Sequence, residues 1–464
     1  MQFKIKRKLV YLLIFPVAVI AFSSCKKYVD AGAPVTLLTP DKVFSDSLAT
    51  LGAVMALYSN GNINSTQPAS AGLILNMSQM GAMTADEGYF YNDAYNAQYS
   101  TNALNANLAL AVYSVPYQVV NMANKNIEGI AGSTALSAGL KSQLIGECEF
   151  WRAYAYFYLI NYFGNVPLVI TTNVPANATL ARSPVADVYK QILADLTDAK
   201  GRLSATYPSA ERARINKWTA SALLARVYLY QKDWVNAEAE AANVIGSGTY
   251  SLEPNLANVF IKTSNEIIWQ TVSLTPTAGV TGVTQMGRFW IPSGTVPLFV
   301  LYDTLPKTFE TNDQRKTNWT KSIVYNSTTW YYPYKYKIRL TSASGNEYNV
   351  MFRLAEQYLI RSEARAMQNN FSGAQADLNA VRNRAGLANT TAATQADLLT
   401  ALEHERWVEL FTEMGDRWFN LRRTGRIDVV MKATKPNWQP YEALYPIPTS
   451  ELTANPQLKQ NSGY

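Results

Sequence analysis

Asp86 and Glu87 stand side by side in the stretch TADEGYFYNDAYNAQYSTN, and Tyr89, Tyr91, Asn92, Tyr95 and Tyr99 follow closely. Carboxylates, amides and phenol rings in one polar segment suit neutral sugars, which offer C–H patches on their pyranose faces and hydroxyls around the rim. Tyr and Trp supply rigid apolar platforms with a polar handle, while Asp, Asn and Arg supply directed hydrogen bonds. A second stretch, GVTQMGRFWIPSG, brings Arg288, Phe289 and Trp290 together in a Gly-flanked loop. Trp319 and the run Trp330 to Tyr332 make a third aromatic group, most simply read as strand packing.

Other chemistries find less support. Glycosidic hydrolysis needs two carboxyls about 5 to 9.5 Å apart facing one bond, whereas adjacent acids in an extended segment point to opposite sides. The chain has one histidine, His404, set among helix formers in ALEHERW, so no zinc cluster or Ser-His-Asp set is expected and no cofactor is implied. Cys25 and Cys148 are the only cysteines.

Cys25 has a telling context. Lys4, Lys6, Arg7 and Lys8 precede a fourteen-residue apolar stretch from Leu9 to Phe22, too short to span a bilayer and laid out as a secretory signal. Ser23, Ser24 and Cys25 resemble a bacterial lipobox, which implies acylation of the Cys25 thiol, then removal of residues 1–24 to leave Cys25 as the mature N-terminus. Several acyl chains, at about 0.8 kcal/mol per buried methylene, would hold the protein on a membrane. With Cys25 acylated, Cys148 has no partner. The signal segment also carries four of the positive charges and no acids, so the formal charge of +7 falls to +3 for residues 25–464. That balance gives no nucleic-acid footprint.

The elements that must position these residues are mostly helical. Two blocks, about 105–245 and 349–425, carry helical spacing, as in GECEFWRAYAYFYLINYFGNVPL, where Phe150, Tyr154, Phe157 and Tyr158 recur and Gly164 with Pro167 stops the helix. Two helical hairpins align, Ala225 with Ser362, Tyr228 with Arg365, Trp234 with Phe371, Ala237 with Ala374 and Ala241 with Leu378. Small, aromatic, small at those offsets resembles a tetratricopeptide repeat. Regions of about 60–104 and 250–348 are rich in Gly, Asn, Ser, Thr and aromatics, with strand-like runs, and are expected to be irregular insertions that carry the ligand face.

Taken in order, YVD, TPDKVFSD, MTADEGYF, FWRAYAYFYLINYFGNVPLV, SALLARVYLYQKDWVNAEAEAANVI, FRLAEQYLIRSEA, LNAVRNRAGL, HERWVELFTEMGDRWFNLRRTG and YPIPTSELTANPQLKQNSGY resemble the SusD/RagB family of outer-membrane nutrient-binding lipoproteins of Bacteroidetes. The resemblance implies a mainly α fold with tetratricopeptide-like hairpins and irregular short-strand insertions. It also implies a lipid anchor on the outer membrane, facing the cell surface, and a SusC-like TonB-dependent transporter as partner. The cargo would be an oligosaccharide or, in RagB-type members, an oligopeptide. The motif match carries Asp86 into the ligand set, giving Asp86, Tyr89, Tyr91, Asn92, Tyr95, Arg288, Phe289 and Trp290, with no catalytic residue.

The charges of HERWVELFTEMGDRWFNLRRTG read as structural: Glu413 and Arg417 four apart on one helical face, and Glu405, Arg406, Glu409, Asp416, Arg422 and Arg423 in a network with Arg382 and Arg384. The terminal NPQLKQNSGY reads as an ordered tail, within about 440–464, held by backbone and amide hydrogen bonds. A glycoside hydrolase and a pure repeat scaffold are the alternatives from other functional classes.

Overall fold

The computed structural model describes residues 40–61, 73–272, 281–339 and 345–464; Cys25 and the signal segment lie outside them. The chain is mainly helical. Helices α1 (Ser47–Gly61) and α2 (Leu73–Thr84) lead to strand β1 (Gly88–Phe90) and the short α3 (Ala94–Ser100). A run of helices follows: α4 (Leu110–Gly132), α5 (Ala138–Phe163), α6 (Val185–Arg202), α7 (Lys217–Tyr230) and α8 (Trp234–Ile245). An insertion then contributes β2 (Ile267–Thr271), α9 (Gln285–Trp290), β3 (Phe299–Leu301), β4 (Thr320–Tyr325), β5 (Thr328–Pro333) and β6 (Asn349–Arg353). Helices return as α10 (Leu354–Met367), α11 (Phe371–Arg384), α12 (Gln395–Leu410), α13 (Asp416–Arg423) and α14 (Ile427–Thr434).

From α4 to α8, and again from α10 to α12, each helix packs on the one before, and α10 packs directly on α8 as though the insertion were absent. Small side chains make that join possible: Ala237 and Ala241 of α8 meet Ile360 and Ala364 of α10, all fully buried. The two hairpins share one turn chemistry. Lys232 and Asn369 adopt left-handed backbone (φ 60° and 63°), and the next residues, Asp233 and Asn370, cap α8 and α11 by accepting from the N–H of Asn236 and Gly373. Within the second hairpin, Ser362 Oγ donates to the carbonyl of Ala374 at 2.7 Å, so only a small residue fits there.

Helix α5 is the axis of the core. Every residue from Leu144 to Phe163 is buried, with Glu147 paired to Arg214 and Arg152 to Asp195, and Gly164 (φ 71°) ends it. Phe150, Trp151 and Tyr154 meet Trp269 of β2 edge-on, with centroids 5.2 to 5.5 Å apart. One expectation needs correction: about 60–104 is not uniformly irregular. All twelve residues of α2 are buried, and Gly81 lies so close to Gly415 that a Cβ would overlap the latter's Cα.

The insertion is pinched at its base by the antiparallel pair β2–β6 and fastened by buried ions. Arg353 of β6 binds Glu266, Glu409 and Glu413; Arg384 binds Glu266 and Glu409; Arg315 binds Asp313, Glu405 and Glu409. Burial alone would raise the Glu409 carboxyl, but Arg384, Arg353 and Arg315 together hold it well below the usual carboxylate range. The network is therefore wider than the sequence suggested, since Arg315, Arg353, Glu266 and Lys335 come from the insertion. Glu413 and Arg417 do not share a helical face. The chain turns between them through Met414 and Gly415, both at positive φ like Thr412 just before, and Glu413 pairs with Arg353 and Lys335 instead.

Candidate functional site

Strand β1 pairs antiparallel with β3, placing Tyr89 opposite Val300 and Phe90 opposite Phe299. Alternation along β1 then sorts its rings. Phe90 points inward, edge-on to Phe299 at 5.1 Å, and Trp290 covers Phe299 at 5.4 Å. A Cβ at Gly88 would overlap the Phe299 ring, so this position needs glycine. Tyr89 and Tyr91 fall on the other side. Tyr89 lies 5.0 Å from Tyr302, and Tyr91 stands edge-on to Trp330 at 5.0 Å and Tyr325 at 5.8 Å.

Trp330 and Tyr325 belong to the hairpin β4–β5, whose two-residue turn, Asn326–Ser327, has both residues at positive φ. The result is a patch of five half-buried rings, Tyr89, Tyr91, Tyr302, Tyr325 and Trp330. Asn92, Asp303 and Asn326 are exposed around it, and Tyr95, 45% exposed, stands on α3, which packs on β1. Burial, with Asp303 and Tyr91 adding to it, raises the Tyr89 hydroxyl above its ordinary pKa. That keeps the phenol a neutral donor and acceptor.

The acids beneath the patch are roots rather than contacts. Asp86 is 1% exposed, and both its oxygens are taken by Arg417 Nε and Nη2 at 2.8 Å. The Arg417 guanidinium lies over the Trp407 ring at 4.0 Å. Glu87 is equally buried and accepts from the N–H of Thr412 at 3.1 Å. Burial pushes its carboxyl up to about 8, so it is protonated at neutral pH. Below them, Lys435 Nζ caps α2 by donating to the carbonyls of Met83 and Thr84 and to Asn102 Oδ1. Burial lowers this ammonium to about 7.

Asp86 is thus withdrawn from the ligand set, because a carboxylate sealed against an arginine has no lone pair facing outward. Trp290, 2% exposed, is withdrawn as well; its ring supports Phe299. Arg288 and Phe289 stay half-buried, with the guanidinium 5.4 Å from the ring centroid. Tyr302, Tyr325 and Trp330 were absent from the sequence-derived set. For the hairpin a signal existed: strand-like residues on both sides of Asn-Ser, with Tyr325 and Trp330 flanking the turn. Trp319 is packing, fully buried at the end of a short helix, with Nε1 donating to the carbonyl of Leu256. Among the described residues no three His, Cys, Asp or Glu side chains gather as metal ligands.

Comparison with known proteins places this architecture. The family described as "Starch-binding associating with outer membrane" matches residues 42–229, and the SusD family matches residues 302–464. The chain belongs to the SusD/RagB family. A SusD-like protein of Formosa agariphila is 24% identical, covering 98% of this chain and 100% of its own length. A SusD-like protein of Bacteroides ovatus is 34% identical over 30% of this chain and 25% of its own. Among solved structures, a laminarin-binding SusD-like protein superposes with a TM-score of 0.76 at 24% identity, covering 90% of this chain and 99% of that one. A SusD superfamily protein from Bacteroides vulgatus gives 0.79 at 19% identity, covering 91% and 100%.

Proposed function

We propose that this protein is a cell-surface lipoprotein that captures an oligosaccharide on the Tyr89–Tyr91–Tyr302–Tyr325–Trp330 patch and passes it to a SusC-like TonB-dependent transporter. The observation that carries the reading is the patch itself: five aromatic rings half-open to solvent, rimmed by Asn92, Asp303 and Asn326. Rings fixed against one another lose little freedom when a sugar face settles on them. Family membership and the laminarin-binding neighbour support a glycan as cargo. Lipid attachment at Cys25 and an outer-membrane location accord with the family description. The reading requires no cofactor and no bond breaking, and the buried Asp86 and Glu87 cannot flank an open substrate bond.

Isothermal titration against neutral oligosaccharides, acidic oligosaccharides and peptides tests it. A glycan should bind, and Trp330→Ala or Tyr91→Ala should weaken binding by tenfold or more, about 1.4 kcal/mol, without lowering the melting temperature appreciably. Binding of peptides with no glycan signal would replace the cargo class. Full glycan affinity in both variants would move the site elsewhere.

A further inference from the structure

The C-terminal end of α5, the start of α6 and the terminal tail enclose a cleft of about 680 Å³, lined in part by Asn165, Arg182, Arg422, Gln457 and Lys459. It shares no residue with the aromatic patch. Its lining holds three cations and no carboxylate. Several guanidiniums elsewhere are matched by acids: Arg152 by Asp195, Arg226 by Glu356, Arg417 by Asp86, and Arg423, the neighbour of Arg422, by Glu363, while Arg212 is held by carbonyls alone.

Among the described residues Arg182 and Arg422 meet only neutral oxygens. Arg182 donates to the carbonyls of Asn165, Phe163 and Lys459 and to Asn461 Oδ1 at 2.6 to 2.9 Å, so it is fixed in place. Arg422 spends one N–H on the carbonyl of Asn161. Among the described residues its other N–H groups, the Lys459 ammonium and the Gln457 side-chain amide have no hydrogen-bond acceptor, while the Gln457 backbone N–H donates to Asn455 Oδ1.

The helix ends do not supply the missing charge. Three of the acceptors are carbonyls at the end of α5, which together carry about half a negative charge. Val185, the first residue of α6, also lines the cleft, and its N–H donates to Asn165 Oδ1. That helix start carries about half a positive charge, which offsets the first. Burial lowers both guanidiniums from their usual pKa, with no carboxylate to hold them up.

We propose that this cleft binds an oxyanion: the sulfate, phosphate or carboxylate group of a ligand. The planar fork of Arg422 suits two oxygens of such a group, Lys459 adds a point charge, and Gln457 adds a neutral donor. The volume lies within the range of small-molecule sites. An acidic sugar and the phosphate of a lipid headgroup share this chemistry.

The test is titration of the full chain in detergent with inorganic sulfate, glucose 6-sulfate, glucuronate and glycerol phosphate, with glucose as the neutral control. Sulfate should bind with a Kd of about 1 mM or tighter, and glucose should not bind at this cleft. Lys459→Gln removes an ammonium that bonds to nothing among the described residues and should weaken sulfate binding severalfold, and Arg422→Gln should weaken it tenfold or more. Circular dichroism melting checks that Arg422→Gln remains folded. Preference for glucose 6-sulfate or glucuronate over glycerol phosphate would identify an acidic glycan as the source, and the reverse a lipid headgroup; either supports the site. Trp330→Ala should leave sulfate binding intact, which separates this site from the aromatic patch. Absence of sulfate and phosphate binding, or equal affinity in wild type and Lys459→Gln, would overturn the proposal.

Discussion

At the residue scale, Asp86 and Glu87 illustrate two fates of a buried carboxylate. Asp86 meets a guanidinium and stays paired; Glu87 meets one N–H and keeps its proton. Removing the charge of the first should be costly. Asp86→Asn leaves Arg417 buried with only the more distant Glu403, at 3.9 Å, and the expected loss is about 3 kcal/mol of unfolding free energy, read by denaturant titration. Glycan affinity of the folded variant should be unchanged, and a selective loss of affinity at full stability would return Asp86 to the ligand set. Glu87 gives a pH signature. Its folded pKa of about 8 lies above the ordinary value of 4.5, so the native state holds a proton that the unfolded state releases between those values. Its contribution is fully present below about 4.5 and is lost as pH rises through 8. Glu87→Gln keeps an oxygen for the Thr412 N–H and removes the titration. The variant should therefore gain stability relative to wild type as pH rises from 5 towards 8, measured by melting temperature across that range. A difference that does not change with pH would mean that Glu87 is ionised in the fold.

At the element scale, close helix approach depends on glycine and alanine at particular points. Gly81→Ala pushes a methyl into the backbone of Gly415, which cannot rotate away. Overpacking of this kind costs about 1 to 3 kcal/mol, and a fall in denaturation midpoint at constant slope would report it. The hairpins of the stack were legible in sequence because Ala225, Ala237, Trp234 and their counterparts repeat at fixed spacing, and the shared turn puts a left-handed residue before a capping Asp or Asn. Helix α2 was not legible. A helix buried on every side has no polar face to set a period, and LILNMSQMGAMT reads equally as an apolar strand or loop. The same limit applied to the site. Tyr89 and Tyr91 were visible as aromatics beside a polar segment, but their partners Tyr302, Tyr325 and Trp330 arrive through the long-range pairing of β1 with β3 and the packing of β3 on β5. Local pattern carries no record of such pairings. Asp86 was misjudged for a related reason, since its partner Arg417 lies 331 residues away.

At the scale of the whole molecule, the proposed function places attachment and binding in separate parts of the chain. The patch is built entirely from residues between Asp86 and Pro333, and no helix among the described residues is long and apolar enough to cross a membrane. With the formal charge of residues 25–464 only +3, electrostatic adhesion to an anionic leaflet is a weak substitute for acyl chains, at about 1 kcal/mol per basic residue close to the surface. The proposed acylation of Cys25 would supply the attachment, and on that reading Cys25→Ser should dissociate the two properties. In cells, wild type should sediment with outer membranes and partition into detergent, while the variant should leave the membrane fraction. In titration, the purified variant should bind the same glycan with the same affinity, because the serine replaces nothing that builds the patch. A variant that stays membrane-bound would relocate the anchor to the protein surface. A soluble variant with weakened glycan binding would mean that the anchor segment takes part in the site.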